Sequence, residues 1–126
     1  DIIMILSSIQ ILATNHPYEK WANFPLERKK LLKLIANASK DKTIIAVTGD
    51  RHRSGIYQNE NFVEITSSSL NKPGSKNSET DPLLIGKTYP IKNFGTINIE
   101  PSKNKMTVSI HDKNGQVLNS TIINID

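Results

Sequence analysis

Thr43-Ile44-Ile45-Ala46-Val47-Thr48-Gly49-Asp50-Arg51-His52-Arg53 is the stretch that decides how this 126-residue chain reads. Thr43–Thr48 is short, apolar and β-branched without alternation, as in a strand buried on both faces of a parallel sheet. Gly49 then turns the chain. A parallel strand needs a partner and a crossover, and both lie upstream. Ile2–Leu6 is another uninterrupted apolar run and reads as a second fully buried strand. Between the two, Ala13–Ala22 is a polar loop carrying His16, Pro17, Tyr18 and Trp21. Asn23 is a good helix N-cap with Pro25 just inside the first turn, where a missing N–H costs nothing. Leu31, Leu34, Ile35 and Ala38 recur at helical spacing and form the expected buried stripe, and the helix should end near Ser39. Strand, helix and strand within this span predict a βαβ unit with a right-handed crossover.

Downstream the character changes. Phe62–Thr66 is a strand candidate, and Asn71–Thr80, rich in Ser, Asn, Lys, Pro and Gly, reads as a mobile loop. Asn93–Glu100, Lys105–Asp112 and Gln116–Ile125 follow as strands. Met106, Val108 and Ile110 alternate with Thr107 and Ser109, the period of a half-buried strand. Asp112-Lys113-Asn114-Gly115 supplies a hairpin turn. The sum is a βαβ unit followed by an antiparallel meander, in one layered α/β domain.

Composition bounds the function. The chain is 37% hydrophobic and 22% charged, enough for a core and too short for two well-packed domains. No apolar run reaches the length of a membrane span; Asp1–Leu12 comes nearest and is broken by Ser7, Ser8 and Gln10. No targeting segment is visible. Asp at the first position, with an apolar run starting at once, reads as an excised or processed fragment. The absence of cysteine excludes disulfides, thiolate metal sites and cysteine nucleophiles, and suits a cytosolic or an exported protein equally. The net charge of +4 is spread out. Its tightest run, Arg28-Lys29-Lys30, falls inside the expected helix and reads as a solvated face, so nucleic-acid binding ranks last among the functions considered.

The chemistry centres on Gly49–Arg53, because open α/β sheets place their ligands at the C-terminal ends of parallel strands. Gly49 allows a sharp turn or a close approach of the backbone. Asp50 and His52, two apart, point to one side if the chain there is extended. A carboxylate and a neutral imidazole are both ligands for divalent or trivalent metals. An Asp-x-His pair alone serves more often as a salt bridge or a capping Asp, and its place at a buried strand end raises the metal reading. Arg51 and Arg53 offer guanidinium forks for a phosphoryl oxygen, or surface ion pairs with Glu19 or Glu60. Tyr18 and Trp21 read as loop anchors, His111 as an exposed turn residue, and Ser67–Ser69 as a hydroxyl-rich loop near the site rather than a nucleophile elbow.

Several motifs occur together and in order: Ile5-Leu6-Ser7-Ser8-Ile9-Gln10-Ile11-Leu12, His16-Pro17-Tyr18-Glu19-Lys20-Trp21, Asn23-Phe24-Pro25-Leu26-Glu27-Arg28, Gly49-Asp50-Arg51-His52, Thr66-Ser67-Ser68-Ser69-Leu70-Asn71 and Asn93-Phe94-Gly95. The set resembles the C-terminal part of the alkaline phosphatase D (PhoD-like) phosphatases, within the calcineurin-like metallophosphoesterase superfamily. That resemblance implies an α/β fold, the C-terminal half of a layered α/β/β/α sandwich, with residues 1–126 as one domain cut from a larger phosphatase domain. It also implies hydrolysis of phosphomonoesters or phosphodiesters at two or more metal ions, drawn from Ca, Fe, Mn or Zn. Asp50 and His52 would be metal ligands, and His16 a further metal- or phosphate-contacting residue. His52, Arg51 and Arg53 would form the catalytic group, and the location would be periplasmic or secreted. The superfamily's earlier motifs are not in this chain, so the expected partner is the missing N-terminal half, and the chain alone is expected to be inactive. The alternative is a non-catalytic β-rich module whose exposed edge drives a homodimer or domain swap.

Overall fold

The structure is a computed structural model and describes residues 1–125. Two sheets and one helix make three layers, α/β/β. The central sheet takes its strands from β1 (Ile2–Ser7), β2 (Thr43–Thr48), β3 (Ser54–Gln58), β4 (Val63–Ser67) and β5 (Leu84–Tyr89), in the order β1-β2-β4-β3-β5. β1, β2 and β4 run parallel, from Ile2 opposite Thr43 to Ser7 opposite Thr48 and from Ile45 opposite Val63 to Thr48 opposite Thr66. β3 turns back antiparallel to both β4 and β5. The second sheet is the antiparallel meander β6 (Asn93–Glu100), β7 (Lys105–Asp112) and β8 (Val117–Asn124).

Alternation along β2 builds both cores. Ile44 and Ala46 face the helix layer with Ile11, Leu12, Ile35, Tyr57 and Phe62. Ile45 joins Ile56, Val63, Ile65, Met106, Val108 and Ile110 between the two sheets. At Gly95 on β6 an added Cβ would stand 2.9 Å from the Ile65 Cδ1 and 3.3 Å from the Ser67 Cβ. Glycine is therefore what lets the second sheet close on β4.

Helix α1 (Pro25–Ala38) connects β1 to β2 and stops at Ser39, whose N–H bonds the Ile35 carbonyl. Its cap is Phe24 with no side-chain bond, because Asn23 is drawn into a short 3-10 turn where its Oδ1 accepts from Lys20 Nζ at 3.0 Å. The buried stripe is also shifted by part of a turn. Leu34 is 67% exposed, and Leu32 packs inward with Leu31, Ile35 and Ala38. Arg28 belongs to this inner face rather than to a solvated one: its Nε and Nη2 donate to the carbonyls of Ile11 and Leu12 at 2.8 and 3.1 Å.

One further strand expectation is corrected: β1 is an edge strand, with Met4 and Leu6 exposed. Two strands go beyond the expectations: β3, a central strand that sequence pattern does not reveal, and β5, which follows the Asn71–Thr80 stretch that reads as loop. The hairpin turn at Asp112–Gly115 is present, with Gly115 at φ 85° and its N–H bonded to the Asp112 carbonyl at 3.0 Å. The left-handed residue falls on glycine alone, as in a type I turn followed by a bulge.

Candidate functional site

β2 ends at Thr48, and the next five residues make the turn that carries the candidate chemistry. Gly49 has room for an ordinary Cβ, with no atom nearer than 3.7 Å. The unusual backbone belongs to Asp50 at φ 61° and His52 at φ 51°, so the chain here is not extended. Asp and His tolerate the left-handed region better than most residues, yet two such positions in three cost roughly 1 kcal/mol or more each. Alternation survives all the same: Asp50 and His52 are exposed while Arg51 and Arg53 are buried.

The turn is held from its far side. Ser68 Oγ accepts the Arg51 N–H at 2.8 Å, Ser69 donates to the His52 carbonyl at 3.1 Å, and the Gly74 N–H donates to the same carbonyl at 2.7 Å. A Cβ at position 74 would come within 3.1 Å of the His52 Cβ. Ser68 and Ser69 thus fix this backbone, while Ser67 donates to Asn93 Oδ1 at 2.9 Å. Asp50 and His52 line one cavity of about 260 Å³ with Tyr18 and Ser75. Among the described residues, no hydrogen bond engages the Asp50 carboxylate or the His52 ring, and no group of three His, Cys, Asp or Glu gathers at one place.

Both arginines are turned inward. Arg51 pairs with Glu79, donates from Nε to Gln10 Oε1 at 3.1 Å, and lies over the Tyr18 ring at 4.8 Å. Arg53 donates to the Ser75 and Asn77 carbonyls, both at 2.9 Å, and to Thr88 Oγ1 at 3.1 Å. Its Nε is 3.5 Å from Glu79 without a hydrogen bond. The acidic partner is therefore Glu79, not Glu19 or Glu60. Two guanidiniums and the Glu79 carboxylate thus lie beside a cavity whose lining also carries Asp50 and Glu19. The arginines also strap the polar segment 72–80 across it.

A buried hydrogen-bond chain continues from Arg51 into the core. Gln10 Nε2 donates to Thr66 Oγ1 at 2.8 Å, the Thr66 and Thr48 hydroxyls are 2.8 Å apart, and Thr48 donates to Glu64 Oε1 at 2.8 Å. Glu64 also accepts the N–H groups of Ile11 and Leu12, the shortest at 2.6 Å. Burial holds the Glu64 carboxyl above its ordinary range, opposed by those bonds and by the charge of Arg28.

His16 sits apart from the Asp50–His52 cavity lining. It is 7% exposed, and its Nδ1 accepts the Tyr18 N–H at 3.2 Å. The neutral ring therefore carries its proton on Nε2, which is buried without a partner. Burial, then Arg51 and Lys20, lower its pKa to about 4. Lys20, itself buried, fixes this loop by donating to the His16 carbonyl at 2.6 Å. Trp21 anchors the loop as expected, its indole N–H donating to Ser7 Oγ at 3.0 Å. His111 faces outward, stacked on Phe94 and bonded to Thr96 at 2.8 Å. Glu64, Glu79 and Gln10 are the residues that sequence reasoning missed.

No protein-family model matches the chain, and no curated protein does. Solved structures do. The chain superposes on GAP50, the anchor in the inner membrane complex of Plasmodium, with TM-score 0.72 at 13% identity, covering 99% of this chain and 37% of that one. It superposes on PhoD with TM-score 0.63 at 12% identity, covering 96% of this chain and 28% of that one. The chain shares its fold with part of PhoD. A predicted phosphoesterase from Streptococcus pneumoniae aligns at TM-score 0.48 and 12% identity, over 80% of this chain and 48% of that one. The chain thus spans less than half the length of each of these structures. The likeness is one of fold. No helix among the described residues is long and apolar enough to cross a membrane.

Proposed function

We propose that this chain is the C-terminal part of a metal-dependent phosphoesterase, with Asp50 and His52 as its share of the metal ligands. One observation carries the reading: at the end of a buried parallel strand, two exposed metal-binding side chains stand on left-handed backbone and line one cavity. Strain of this kind concentrates at functional sites. The donor types suit a hard or intermediate cation such as Ca, Fe, Mn or Zn, and the set is partial, so the remaining ligands come from the N-terminal half of such a domain. A bound metal would make hydroxide available near neutral pH and act as a Lewis acid.

The chain's own residues bind and orient. With the Asp50 carboxylate engaged by a cation, Arg51 and Arg53 would favour phosphoryl oxygens in the cavity they line. His16, with its proton on Nε2, fits a donor role toward phosphate better than a ligand role toward metal. Export to the periplasm or outside the cell belongs to the same proposal. The test is calorimetric titration of the 126-residue chain with Mn²⁺, Zn²⁺ and Ca²⁺. Saturable binding that disappears in Asp50→Ala and in His52→Ala is expected, with no hydrolysis of a chromogenic phosphate ester by the chain alone. Absence of any metal response in the unaltered chain removes the reading, and hydrolysis by the chain alone removes its partial character.

A second reading, a self-associating β-rich module, is favoured by a different feature. β1 and β6 are both edge strands and border one groove of about 420 Å³, lined in part by Met4, Leu6, Leu70 and Phe94. Neither strand carries a proline or lysine to discourage pairing.

A further inference from the structure

A cavity of about 520 Å³ lies beside the Gly49–Arg53 loop, and Gly74 lines both it and the Asp50–His52 cavity. Its apolar lining comes from Pro73, Pro90 and Ile91, the last 43% exposed. Lys76, Lys92 and Lys113 also line it. None of the three is in an ion pair among the described residues, where the paired lysines are Lys30, Lys42 and Lys103. The acid present, Asp112, is occupied in the hairpin turn, its Oδ1 accepting the N–H groups of Asn114 and Gln116 at 2.8 and 2.9 Å. The walls are tied down. Arg53 holds the Ser75 and Asn77 carbonyls, and the Gly74 N–H is bonded to His52. An apolar lining with unpaired cations is complementary to one kind of occupant, an anion with an apolar body.

We infer that this cavity binds an organic phosphate ester, its apolar group against Pro73, Pro90 and Ile91 and its anionic group to Lys76, Lys92 and Lys113. Inorganic phosphate meets only the lysines, and an uncharged aromatic meets only the apolar lining. The inference rests on the phosphoesterase reading for the identity of the anion, and it makes the apolar body and the phosphate together the parts that are recognised here.

The test is an amide-resolved NMR titration of the chain in EDTA with phenyl phosphate, inorganic phosphate and phenol. Phenyl phosphate is expected to shift the amides of Gly74–Lys76, Ile91–Lys92 and Asp112–Gly115, and to bind at least tenfold more tightly than either fragment. Raised salt weakens that binding. The Lys76→Gln/Lys92→Gln/Lys113→Gln variant loses at least tenfold in affinity, and Ile91→Ser loses the preference for phenyl phosphate over phosphate. All four side chains are on the surface, and an unchanged spectrum elsewhere checks the fold. No saturable shift at these amides, or equal binding by the triple variant, overturns the inference. Because EDTA removes metal from this titration, a cavity that fills while the calorimetry shows no metal response sinks the metal reading alone.

Discussion

Glu64 has no accessible surface and no cationic group bonded to it, yet it lies at the centre of the molecule. Its charge is met through peptides: Glu64 takes the N–H groups of Ile11 and Leu12 while Arg28 takes their carbonyls. The Glu64→Ala variant leaves two amides and the Thr48 hydroxyl without their acceptor. Each orphaned buried donor costs about 1–3 kcal/mol, so urea denaturation should show a loss of at least about 3 kcal/mol. His16 makes the fold sensitive to acid. Its folded pKa, about 4, lies below the unfolded value of 6.5, so the unfolded state binds more protons between them. Stability is present above pH 6.5 and is lost as pH falls through 4, by on the order of 3 kcal/mol. Denaturation midpoints across this range should flatten in His16→Asn. Glu64 contributes oppositely, since a raised folded pKa favours the native state at low pH and loses that benefit as pH rises through it.

At the scale of elements, legibility follows the origin of each signal. β7 alternates cleanly because one face meets the central sheet and the other does not, and its sequence limits match its observed ones. β3 does not, because it lies between β4 and β5 with Ser54, Gly55, Ile56 and Tyr57 all buried, so no period marks a face. β5 is interrupted by Gly86 at φ 75°, which breaks the strand pattern of Leu84–Tyr89. Asp50 and His52 were legible because they are adjacent to the strand that presents them. Glu79 and Gln10 were not, since they reach Arg51 from 28 and 41 residues away and only the tertiary fold joins them. Gly95 gives an element-scale test. Gly95→Val on β6 forces a branched side chain onto Ile65 and Ser67, and thermal unfolding should report a loss of about 1–3 kcal/mol.

The molecule as a whole has one finished side and one open side. β8 is tied to the central sheet through Asn119 to the Ile85 carbonyl and Tyr89 to the Leu118 carbonyl, at 2.9 and 2.8 Å. β1 and β6 flank the groove opposite. Sedimentation velocity should show concentration-dependent self-association that Leu6→Lys abolishes by placing a charge in the groove; a monomer at every concentration removes that expectation. Closer to the candidate site, the strap over segment 72–80 has its own signature. Lys76–Asn77 offers trypsin an unstructured-looking bond, whereas the bond after Lys72 precedes Pro73 and is resistant. A protease must peel several residues into its cleft, and here Arg53 holds the carbonyls of Ser75 and Asn77 while Arg51 holds the Glu79 side chain. Nicking after Lys76 should lag behind nicking at exposed helix lysines, and Glu79→Gln should hasten it severalfold. What composition marks as a linker would then digest like part of the body.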